Sequence, residues 1–252
     1  MGTGAITQYV DVAQLVLYLF WIFFAGLIYY LIREGHREGY PLETESGRGS
    51  LIGWPTPAPK TYLLPHGGEV SFPDGKPEGR PIALQPAYRF SGSPLEPTGN
   101  PMLDGVGPGS WAQRADVPDL TWDGHPKLVP LRVAMGFDVS SGDRDPRGLP
   151  VIGADDETAG IVRELWVDQS EHMFRYFEVE LNGGQGTVLL PINFSRVKRD
   201  MVKVHSILSH QFAQVPGTKR NDQITFLEEE KIMAYYGGGT LYAEPSRAEP
   251  LI

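Results

Sequence analysis

Six histidines and 31 carboxylates are the side chains through which this 252-residue chain can do chemistry, because it contains no cysteine. Without cysteine, disulfides, thiolate zinc sites and cysteine nucleophiles are excluded. No G-x-S-x-G elbow supports a serine nucleophile. No H-E-x-x-H or H-x-x-x-H spacing brings two imidazoles onto one helix face, so a metal site within the chain is not expected. Gly105-Val106-Gly107-Pro108-Gly109 follows no expected strand, and no G-x-x-x-x-G-K-[ST] occurs, so a phosphate loop is not expected either. With no nucleophile, base and orienter in view, the chain does not read as an enzyme.

Proton exchange remains. Histidine titrates near neutrality, and carboxylates join it where burial or like charge raises their pKa. Asp123-Gly124-His125 puts an acid and an imidazole in one turn. Asp168 and Glu171 stand together in WVDQSE, with Arg175 close enough along the chain to ion-pair with them. On residue types alone the first is a solvated turn and the second an ordinary charged turn. His36, His172, His205 and His210 fall into no recognised spacing.

Three regions must position these groups. Residues 12–32 carry no charged side chain, and a helix of this length spans roughly 30 Å, the thickness of a bilayer core. The stretch is apolar on every face, which a core helix of a soluble protein is not. Asp11 precedes it, whereas Arg33 and Arg37 follow closely and Arg48 further on. The positive-inside rule therefore places residues 1–11 outside and the rest in the cytoplasm. Tyr29, Tyr30 and Tyr40 flank the exit, while Tyr18 and Trp21 lie mid-span, facing lipid or partner helices.

Residues 41–130 hold 16 of the 22 prolines and 13 of the 30 glycines, yet Trp54, Leu63, Phe72, Phe90, Trp111 and Trp122 are threaded through them. Proline disfavours long helices and central strands. The expectation for 33–130 is an extended segment whose apolar residues are buried by a partner. Turns are expected at Asp74-Gly75, Asp104-Gly105 and Asp123-Gly124.

From about 131 the pattern is β-rich. Residues 161–168, 173–181, 187–190 and 197–205 read as short strands of a small barrel or sandwich, with Glu178 and Glu180 on the solvent face. Thr225 to Glu228 resembles a capping box opening a helix over 225–236, which Gly237-Gly238-Gly239 should stop. The net charge of −9 argues against a nucleic-acid partner.

Several stretches in order resemble the H subunit of the purple-bacterial photosynthetic reaction centre. They are FWIFFAGLIYYL with REGYPLE, LPHG (64–67), RPIAL (80–84), PTGNPMLDGVGPGSW (97–111), GLPV (148–151), AGIVRELWVD (159–168), FEVEL (177–181) and LEEEKI (227–232). The resemblance implies one transmembrane α-helix and a mainly β cytoplasmic domain with a PRC-type barrel. It implies a non-enzymatic subunit of the photosynthetic inner (intracytoplasmic) membrane that caps the L and M subunits. This chain would bind no cofactor alone. The complex would contain bacteriochlorophyll, bacteriopheophytin, carotenoid, quinones and non-haem iron, with a cytochrome subunit and light-harvesting antenna polypeptides as further neighbours.

The resemblance also implies residue roles. Asp123 and His125 match the proton-entry region. Asp168 and Glu171, with Arg175 beside them, match acids on the inner path to the secondary quinone. His66, Asp222 and Glu228 to Glu230 are weaker candidates, the last three otherwise reading as a solvated helix face. Relatives commonly carry a second histidine where Lys127 stands, and lysine near pKa 10.4 is a poor relay. That leaves one imidazole where a surface zinc site needs two. Glutamine at 223 cannot titrate where relatives can carry glutamate. Arg33 and Arg37 suit an anionic lipid headgroup. The alternative is a single-pass membrane adaptor with a PRC-type barrel and no proton transfer.

Overall fold

The computed structural model describes residues 4–6, 11–40, 56–74, 80–90 and 92–248. Arg48, Trp54 and the Gly75 half of the Asp74-Gly75 turn lie outside them. The chain divides into two units, Met1–Pro77 and Glu78–Ile252.

In the first unit, Asp11 caps helix α1 (Val12–Gly35) by accepting from the Gln14 amide at 2.7 Å. No residue of α1 is buried, and the helix is long and apolar enough to cross a membrane. It runs three residues past the apolar stretch, through Arg33, a cation favoured in a last helical turn. Strands β1 (Lys60–Leu63) and β2 (Glu69–Phe72) form an antiparallel hairpin. Gly67 and Gly68 supply the positive φ its turn requires.

The second unit opens with a small antiparallel pair, β3 (Leu84–Pro86) and β4 (Leu95–Pro97). A short helix α2 (Pro101–Asp104) follows, capped by Asn100 and closed by Gly105 at φ 66°. Seven strands build the main sheet: β5 (Leu128–Pro130), β6 (Pro150–Ile152), β7 (Thr158–Asp168), β8 (Met173–Leu181), β9 (Thr187–Pro191), β10 (Ser195–Val197) and β11 (Val202–Val204). Their order is β10-β11-β6-β7-β8-β9, with β5 also paired to β7. Only β11 and β6 run parallel; the other pairings are antiparallel. The sheet curls around a core that includes Leu165, Trp166, Phe177, Leu190 and Ile207. Helix α3 (Phe226–Tyr242) contributes Ile232, Tyr235 and Tyr236 to the same core. Fully burying one such apolar side chain contributes about 1.5–3 kcal/mol.

Two expectations are corrected here. The helix near 225–236 does not stop at the triple glycine but continues to Tyr242. A Cβ on Gly237 would lie 3.0 Å from the Pro108 carbonyl oxygen, one on Gly238 3.0 Å from the Gly109 Cα, and one on Gly239 2.4 Å from Ile207. The glycines serve close approach between segments, and the packing outweighs their poor helix propensity.

The proline-rich middle is also not uniformly draped. Its second part belongs to the β-rich unit: Met102, Val106 and Gly109 are buried, and Leu128–Pro130 is a buried sheet strand. Elsewhere in it large apolar side chains stand exposed, Leu63 at 79%, Ile82 at 75% and Trp122 at 90%. Trp111 instead receives the Arg80 guanidinium 4.0 Å from its ring centroid and Lys231 at 4.8 Å.

Candidate functional site

Strands β7 and β8 join through a tight turn at residues 169–172, and Asp168 builds it. Its Oδ1 accepts the Ser170 and Glu171 amides at 3.0 and 2.9 Å. Its Oδ2 faces Lys127 Nζ at 3.4 Å and Arg175 Nε at 3.6 Å. Asp168 is buried, whereas Glu171 and Arg175 are exposed. The expected Arg175 pairing therefore forms with Asp168, and among the described residues Glu171 has no ion pair. Lys127 also reaches Asp119 at 3.6 Å. Backbone bonds from Gln169 to Lys127 and from Lys127 to Asp119 lay this segment along the turn.

Asp123 and His125 occupy a separate turn, in which the Gly124 amide donates to the Thr121 carbonyl and Gly124 takes φ 80°. Both side chains are exposed. With His172, Asp222 and Gln223 they border an open cleft of about 680 Å³. The structure thus brings Asp123, His125 and Asp222 together, with Gln169 and Ser170 linking the cleft to the Asp168 turn. The Arg220 guanidinium, 2.8 Å away, holds the Asp222 carboxyl below the usual carboxylate range. That makes Asp222 a poor proton carrier near neutrality. Among the described residues no three His, Asp or Glu side chains are grouped to hold a metal ion.

His66 lies exposed in the β1–β2 turn of the other unit. Arg33 is exposed in the last turn of α1. Arg37 instead holds Glu34 through two bonds of 2.9 Å and donates to the Ala58 and Phe72 carbonyls.

Glu228 to Glu230 are not a solvated face. Glu228 is buried: it accepts the Thr225 amide at 2.9 Å and the Lys219 amide at 2.7 Å, completing the capping box. Glu229 is half-buried, and its Oε2 accepts the Tyr176 hydroxyl at 3.1 Å. Burial raises the carboxyl above its ordinary pKa, and burial beside this acid raises the phenol still more strongly. The pair borders a cleft of about 490 Å³ that also includes Arg175. Glu230 faces Arg114 at 3.4 Å. The signal for Glu229 was its spacing, one helical turn before Ile232, which is fully buried.

Glu178, expected in solvent, is also buried. It accepts from Trp166 Nε1 at 3.0 Å and pairs with Arg132 at 2.9 Å. β8 keeps its alternation here, pairing in regular register with β9, but Tyr176 to Val179 are buried on both faces, so the face opposite Phe177 and Val179 is covered as well.

Residues 138–211 match the PRC-barrel domain family, so the curled sheet is that of a PRC-barrel protein. Residues 4–133, more than half of the chain, match the family described as the H-chain N-terminal region of the photosynthetic reaction centre. The chain belongs to the reaction-centre H-chain family, a non-enzymatic subunit of that complex. Membership implies a membrane-associated protein that joins the L and M subunits in an assembly containing pigments and quinones.

Proposed function

We propose that this chain caps the cytoplasmic face of L and M and helps deliver cytoplasmic protons to the doubly reduced secondary quinone. Its N-terminus is then periplasmic and its β-rich unit cytoplasmic, as the arginines after α1 favour. The observation that carries the proton role is the Glu229–Tyr176 pair, whose carboxyl is pushed upward in pKa at the border of a cleft. A carboxyl so raised exchanges a proton nearer neutrality than an exposed glutamate does.

Asp123 and His125 suit entry, being exposed on an open cleft. Exposed Glu171 suits exchange with water beside the Asp168 turn. Asp168, Lys127 and Arg175 suit the fixing of that turn. Exposed Arg33 suits an anionic headgroup, and Trp122 and Ile82 suit burial by a neighbouring subunit. The cytochrome subunit and antenna polypeptides are further proposed neighbours.

The test is flash-induced proton uptake and second electron transfer to the quinone in the intact complex. Glu229→Gln and Glu171→Gln should each slow the proton-coupled step several-fold while the complex keeps its pigments. Unchanged kinetics in both would remove the proton role and leave a capping adaptor.

A further inference from the structure

The β1–β2 hairpin and the end of α1 are one piece. Lys60 Nζ lies 3.1 Å from the Glu34 carboxylate. Arg37 grips the same carboxylate and donates to the Ala58 carbonyl at 2.6 Å and the Phe72 carbonyl at 3.4 Å, one on each side of the hairpin's open end. Glu34 stands two residues beyond Ile32, the last apolar residue of the span, which is about 3 Å along the axis. The open end of the hairpin is therefore fixed at the level where hydrocarbon gives way to headgroups.

Its side chains match that level. Lys60 pairs across with Phe72 and Tyr62 with Val70, so a cation, two aromatics and a valine share one face. Tyr62, Leu64 and Phe72 are nearly half exposed, and Leu63, near the tip, is 79% exposed. A two-stranded hairpin is marginal by itself in water and needs a covering surface. Aromatic rings with a polar end and basic side chains are the groups that favour the bilayer interface.

We propose that the Lys60–Phe72 hairpin lies in the headgroup layer beside α1. Leu63 and Leu64 reach the acyl boundary, and the Glu34–Arg37–Lys60 clamp sets the depth. The proposal stands on the membrane-spanning helix and is independent of proton delivery.

Because the chain has no cysteine, Leu63→Cys places one nitroxide label on this subunit of the intact complex. The complex would sit in nanodiscs of phosphatidylcholine and phosphatidylglycerol, with unsubstituted complex as the background. Relaxation by oxygen, concentrated among acyl chains, should exceed relaxation by an aqueous nickel chelate several-fold. Dominant nickel relaxation would put the hairpin in water, and protection from both reagents would put it under another subunit; either overturns the proposal. Adding Glu34→Gln should lower the oxygen-to-nickel ratio at least twofold as the clamp opens. An unchanged ratio would overturn the clamp's role in setting the depth.

Discussion

Asp168 and Glu229 are withdrawn from water by opposite means. Asp168 meets two amide donors and two cations, so its environment is organised around a negative charge. Glu229 meets one phenol, and burial dominates its surroundings. Arg175 reaches Asp168 directly and acts on Glu229 across space. The difference separates two uses of an acid: the first holds a turn in place, and the second is the one the proposed proton role draws on.

The sharpest break in this comparison is Asp168→Ala, which strands two amides and the positive charges of Lys127 and Arg175. Chemical denaturation of the assembled complex should show a loss of about 2–3 kcal/mol. A loss comparable to an ordinary surface substitution would mean that the turn holds without it.

Glu229→Gln should give a smaller effect with a distinctive pH dependence. A carboxyl raised in the fold binds protons that the unfolded chain has released, so its contribution to stability falls as pH rises. The decline starts near the ordinary glutamate value of 4.5 and ends above the raised folded value. Glutamine removes this decline, so the variant gains on the parent through that window; parallel stability curves would contradict the assignment.

The smallest effect belongs to Lys127→Gln. Its two carboxylate contacts are long and its ammonium is partly solvated, so about 0.5–1 kcal/mol should be lost and titratable by salt. A salt-independent loss would point to packing of the lysine stem.

Patterns that rest on one segment were legible in the sequence. The apolar stretch of α1 announced itself by length, and β8 was read as Met173–Leu181, as observed. What escaped depends on distant partners. Gly237–Gly239 look like a helix stop until the 101–109 segment is laid against the first two and Ile207 against the third. Lys127 looked like a lost relay, yet its ammonium belongs to the Asp168 turn. Glu178 stands where alternation alone points to solvent, but Trp166 and Arg132, from other segments, cover that face. Asp168 was found by type and place, but its role as an anchor follows from the amides it accepts.

The glycine track on α3 bears on where the chain can be divided. The two family assignments abut between residues 133 and 138, but the compact unit begins at Glu78. Helix α3, which lies beyond both assignments, receives backbone from residues 108–109 of the first, and β5 from that same region pairs with β7 of the second. The boundary between the two assignments runs through the middle of one compact unit. A fragment cut there would lack β5 and uncover Gly237 and Gly238, so the two assignments are not separable folding units.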